Sequence, residues 1–209
     1  MQFLIEFFSA FRTDALDWCK GRSPILRLTL LLYLAYAGVH HMRDQLYSSW
    51  FGGLTFGLHE FGHVLFSGFG EFMSIAGGSI TQLVVPLIGI GMLLYQRDYF
   101  GIAVAGCWES FSLYNLATYI GDAQVMQLPL VSIGGGDAYH DWEYLLVHLG
   151  LIEHDAKIAA MTRGLGFVML LMSWSWGAWV CYRMLRKPAV ATSDFFTVEE
   201  PRSKGGRLR

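Results

Sequence analysis

The stretch "FMSIAGGSITQLVVPLIGIGMLLYQ", Phe72–Gln96, carries no charged side chain over 25 residues. About 20 apolar residues suffice to cross the hydrocarbon core of a bilayer as a helix, so this run reads as a membrane helix and sets the fold class. Two further runs repeat the pattern. Gly164–Tyr182 is uncharged over 19 residues, and Tyr99–Gly121 is interrupted by Glu109 alone. Of the 209 residues, 54% are hydrophobic and only 15% charged, against about a quarter charged in a soluble domain. The expected fold is an all-α polytopic membrane protein whose first partner is the lipid bilayer. A net charge of −2 argues for no nucleic-acid partner.

Outward from this run, Ile80–Gln96 and Tyr99–Ile120 are expected to form a tight hairpin around Arg97 and Asp98. A first span runs from Ile25, after Pro24, to about Val39, where His40 and His41 stand near the interface; a last span covers Gly164–Tyr182. That makes about four transmembrane helices. The segment Trp50–Gly68 is too polar and Gly-rich for a comfortable span and is expected to be membrane-embedded or re-entrant. Residues 1–22 read as an interfacial amphipathic helix, with Gln2, Glu6, Ser9, Thr13, Asp17 and Lys20 opposite Phe3, Leu4, Phe7, Phe8, Phe11, Ala15 and Trp18; a partner-docking helix is the competing reading. Charges in the first twenty residues leave no cleavable signal peptide. Residues 23–187 form the membrane domain, with 121–162 as an extramembrane loop, and 188–209 a disordered polar tail.

Basic residues fix the orientation. Arg12, Lys20, Arg22 and Arg27 near one end, and Arg183, Arg186 and Lys187 near the other, put both termini on the cytoplasmic side. The acid-rich loop then faces outward. The pattern suits a bacterial inner membrane. Cys19, Cys107 and Cys181 form no CxxC pair and read as apolar filling. The cluster Trp174, Trp176 and Trp179 reads as a packing or lipid-facing surface, and His148 and His154 as solvated.

The chemistry centres on "GLHEFGHVLF", Gly57–Phe66, which contains His59-Glu60-Phe61-Gly62-His63. On a helix, residues four apart share a face, so both imidazoles can reach one metal ion. Glu60 follows the first ligand and can act as general base on a water at the metal without ligating it. Zinc lowers the pKa of such a water toward 7. With 7 histidines in the chain, chance HExxH matches number on the order of 0.01. Ionisable groups in an apolar segment are costly unless paired or coordinated.

A catalytic zinc site usually has three protein ligands. The richest source of the third is "GGGDAYHDWEYLL", Gly134–Leu146, which offers His140 or Asp141 on nearly equal terms and Asp137 after them. Asp137 also reads as the cap of a helix over Ala138–Leu149. Glu109, inside a span, is expected to pair with a polar neighbour or to join the site; Gln82 and Asn115 read as interhelical hydrogen-bonding residues.

The motif on an embedded segment, followed by "GEFMSIAGGSITQLVVPL", resembles the site-2 protease group of intramembrane zinc metalloproteases, its small members in particular. The resemblance covers about residues 54–160. It implies zinc on His59 and His63, Glu60 as general base, and an aspartate from a later segment as third ligand. A zinc metallopeptidase acting on a membrane or membrane-proximal protein or peptide is therefore expected. The alternative is a non-catalytic, protease-derived subunit of a larger membrane complex, with or without metal. A di-iron oxygenase would need more histidine boxes than seven histidines provide.

Overall fold

The computed structural model describes residues 2–128 and 140–186. Within them the chain is all helical. The elements are α1 (Gln2–Cys19), α2 (Ile25–Arg43), α3 (Gly52–Phe66), α4 (Glu71–Tyr95), α5 (Tyr99–Gly121), α6 (Asp141–His148) and α7 (Asp155–Leu185). Short 3₁₀ turns at Ser67–Phe69 and Ile152–His154 follow α3 and precede α7. The tail from residue 187 onward, and Asp137, lie outside the described residues.

Three helical stretches are long and apolar enough to cross a membrane: Ile25–Arg43, Glu71–Tyr95 and Ile152–Leu185. Two exceed the sequence expectation. The first span continues through His40 and His41 to Arg43 because His41 is buried, its ring 4.8 Å from that of Phe111. The last helix begins at Asp155, where the polar loop was expected to continue to residue 162. The run Tyr99–Gly121 is not among the three. Its helix is the centre of the molecule, buried at most positions from Tyr99 to Ile120, so it can carry Glu109, Ser110 and Ser112 where a lipid-facing helix could not.

Helix α5 packs along α7, while α2 lies against both. Small residues let the two long helices approach: a Cβ on Gly177 would lie 3.0 Å from that of Ala103. The Ser110 hydroxyl donates to the Gly166 carbonyl over 2.7 Å. The tryptophans of α7 serve this packing. Trp174 donates to the Leu31 carbonyl at 3.1 Å and Trp176 to that of Tyr99 at 2.8 Å. The amphipathic reading of α1 resolves at its C-terminal half, where Phe11, Ala15, Trp18 and Cys19 join the core with Tyr99, Val180 and Cys181.

The expected hairpin is present. Helix α4 ends at Tyr95, Arg97 takes a positive φ of 56°, and the Asp98 carboxylate caps α5 by accepting from Gly101 N–H at 2.9 Å. Helix α3 runs antiparallel to α4 and nearly touches it. A Cβ on Gly62 would collide with the Gly77 carbonyl oxygen, and one on Gly77 would lie 2.6 Å from the Gly62 oxygen. Backbone meets backbone here, and no side-chain rotation can make room. Gly62→Ala is therefore expected to force α3 and α4 apart at a cost of about 3 kcal/mol or more. A marked fall in the thermal unfolding midpoint of the protein in detergent would register it; an unchanged midpoint would contradict this packing.

Side-chain contacts also trace the path of the chain into α3. Gln45 lies beside the C-terminal end of α5, its carbonyl accepting from Thr118. Phe51 has moved to mid-helix, its ring 6.0 Å from both Trp108 and Phe111. Thr55 accepts from the Trp108 indole at 3.0 Å. His59 is again near the C-terminal end of α5, its ring 5.9 Å from that of Tyr119. The chain goes partway down α5 and α3 brings it back.

Candidate metal centre

The two motif histidines, four apart on α3, turn toward α4 and α6. The structure brings them together with Asp141, and the ligand atoms of the three lie within 4.8 Å of one another. His59 Nε2 is 2.9 Å and His63 Nε2 3.2 Å from the same carboxylate oxygen, Asp141 Oδ2. His59 and Asp141 are buried, and His63 partly so.

Hydrogen bonds behind the rings decide what the front presents. Gln82 donates its amide N–H to the Ser112 carbonyl at 3.0 Å, so its Oε1 must face His59 Nδ1, 3.0 Å away. An oxygen of that kind only accepts, and His59 therefore carries its proton on Nδ1. His63 Nδ1 lies 2.9 Å from the Ser74 carbonyl oxygen and must donate to it in the same way. In the neutral tautomers both Nε2 atoms are then bare lone pairs. Two lone pairs and a carboxylate oxygen converge with no proton assigned among them. This donor set calls for a cation at its centre, and outer-shell partners on Nδ1 are what metal-ligating histidines characteristically have. The three residues can hold a metal ion.

Asp141 suits the role. Burial works against its ionised form, but with protons on the two Nε2 atoms and no cation between them, hydrogen bonds from His59 and His63 outweigh burial and hold its carboxyl below the usual carboxylate range; a bound cation would take the place of those protons. It remains ionised, as a ligand must be. Glycine completes the cradle: a Cβ on Gly78 would sit 2.7 Å from His63 Nε2 and 2.8 Å from His59 Nε2. Only a residue without a side chain leaves that floor open.

Of the two near-equal candidates for third ligand, Asp141 faces the histidines and His140 does not. His140 is the N-cap of α6, with φ −85° and ψ 102°, and its Nδ1 accepts from Glu143 N–H at 3.2 Å. Its Nε2 approaches Asp122 Oδ2 to 3.3 Å. The helix expected over Ala138–Leu149 thus opens at Asp141 with His140 as its cap. Glu60 is half-buried beside the centre and is not one of the three converging groups. Glu109 is buried away from this cluster, while Gln82 bridges helices as expected. His148 and His154 are exposed.

Three contributors escaped the sequence reading: Gly78 under the rings, Ser74 behind His63, and Tyr119, whose hydroxyl accepts from Asp141 N–H at 3.1 Å. The one signal available was the Gly77-Gly78 pair in an otherwise bulky apolar run.

The chain matches no family model, and no curated protein or solved structure matches it either. What it does has to be read from this site.

Proposed function

We propose that the chain is a membrane-embedded zinc hydrolase, a peptidase that cleaves a membrane or membrane-proximal protein. The observation that carries the reading is the donor set: two imidazole lone pairs and one carboxylate oxygen converging, with Glu60 one residue beyond the first imidazole. Two histidines and one carboxylate match the ligand count of catalytic zinc, which keeps one position open. The HExxH motif and its later aspartate resemble the ligand set of site-2 proteases, with His59, His63 and Asp141 as ligands.

A zinc ion held there supplies an acidified water and a Lewis acid for the substrate carbonyl. The chain's own residues do the rest. Gln82 and Ser74 hold the imidazoles in the ligating tautomer. Glu60 takes the proton of the attacking water and returns it to the leaving amine, as a general base that becomes a general acid. Burial of His59 and Asp141 keeps bulk water from competing with the ordered donors.

The chain path into α3 supports a re-entrant motif helix. At 15 residues it is about 22 Å long, too short for a core of about 30 Å. With α3 entering and leaving on one face, α2, α4, α5 and α7 make four crossings and both basic ends stay cytoplasmic. Gly78 is seven residues into α4, so the metal centre would lie roughly 10 Å below the start of that helix. A membrane-proximal peptide bond could reach it from the outer side.

The test is hydrolysis of a membrane-protein substrate by purified protein in lipid, wild type beside Glu60→Gln. Cleavage that disappears with Glu60 while metal remains bound supports the peptidase. Bound metal with no dependence on Glu60 would leave a metal-holding subunit of a larger complex.

A further inference from the structure

His59 and His63 are fixed by one helix and braced by α4. Asp141 comes from a separate element, after a long excursion from the end of α5, and needs a hold of its own. Tyr119 in the last turn of α5 and Asp122, which caps that helix, provide it. Asp122, buried at the helix end, accepts from Gln127 N–H and Leu128 N–H at 2.9 Å each where the chain departs. The same carboxylate lies 3.3 Å from His140 Nε2 where the chain returns. His140 is 3% exposed, and its Nδ1 is occupied as an acceptor from Glu143 N–H. Its proton is therefore on Nε2, which is buried and has the Asp122 carboxylate within ion-pair distance but no hydrogen-bond partner of its own. Tyr119 completes the hold. Its ring lies 4.4 Å from that of His140, and its hydroxyl accepts from Asp141 N–H.

We propose that Asp122 and Tyr119, with His140 between them, form a clasp that sets the position of Asp141 and thereby the metal affinity of the centre. They are positioning residues: none lies among the converging ligands, and each acts on Asp141 through the cap or the backbone of α6. The inference rests on the metal centre proposed above. It adds that the third ligand is held in place by tertiary contacts from α5, so that affinity can be lost with all three ligands present.

The experiment uses the full chain in detergent micelles, titrated with Co²⁺ and back-titrated with a chelator, with the visible spectrum recorded. Asp122→Asn keeps the shape and an acceptor for the backbone but removes the charge facing His140. Tyr119→Phe removes one oxygen. His140→Asn keeps an acceptor for Glu143 N–H and loses the reach to Asp122. Each is expected to weaken Co²⁺ binding about ten- to a hundredfold, as losses of outer-shell partners do. The Asp122→Asn cobalt spectrum should also shift toward that of Asp141→Ala. Wild-type affinity and spectrum in Asp122→Asn and Tyr119→Phe would overturn the clasp while the centre stands. Wild-type affinity in His140→Asn would reduce His140 to a helix cap and overturn its part. Absence of Co²⁺ binding in the wild type would overturn the centre and the clasp with it. If Asp122→Asn fails to fold, the conservative Tyr119→Phe decides.

Discussion

Gly78→Ala is expected to empty the metal centre while leaving the helices assembled. The added methyl would lie 2.7 Å from His63 Nε2 and 2.8 Å from both His63 Cε1 and His59 Nε2. Carbon and nitrogen do not pack that closely, so something must move. What it meets are the far ends of two side chains, which can rotate about χ1 and χ2 at modest cost. Rotation releases the Nδ1 hydrogen bonds to Gln82 and Ser74 and turns both Nε2 atoms away from Asp141. Metal affinity should fall at least about a hundredfold, more than the loss of one outer-shell partner. Helix content and unfolding midpoint should stay near those of the metal-free wild type. Metal analysis and a thermal melt on the same preparation check both halves. Gly62→Ala provides the contrast, because there the methyl meets a carbonyl and the helix crossing itself must give.

Glu60→Gln is expected to lower the turnover number for peptide-bond cleavage by about 10²–10⁴, the usual worth of a positioned acid–base group, with metal content unchanged. Glutamine has the size of glutamate but cannot take a proton from water at neutral pH. His59, His63 and Asp141 are untouched, so the ion stays. The measurement is single-turnover cleavage in proteoliposomes beside metal quantification. A Glu60→Gln protein that cleaves at the wild-type rate would remove the general base and with it the hydrolase.

Much of this fold was legible locally. Uncharged runs mark membrane-competent helices because hydrocarbon penalises charge independently of context. HExxH marks a candidate ligand pair because helical periodicity alone puts His59 and His63 on one face. The third candidate ligand was narrowed to His140 or Asp141, with Asp137 after them, and the choice between the first two then depended on where α6 begins. Neighbouring residues on a helix point about 100° apart, so capping by His140 aims Asp141 at the site and His140 elsewhere. No local pattern fixes that choice; it follows from contacts to Asp122 and Tyr119 on another helix. The extent of α7 and the burial of α5 were likewise matters of packing. A serine or glutamate at a buried position of α5 lowers hydropathy without telling whether protein or lipid surrounds it. Gly62 and Gly77 are the points of contact between two helices, which a lone glycine in a sequence does not announce.

Metal content of the purified protein, wild type beside His63→Ala and prepared without chelator, tests the centre most directly. About one zinc ion per chain, absent from His63→Ala, is the expected result for a three-ligand site that loses one ligand. Metal-free wild-type protein that also fails to take up added zinc would contradict it.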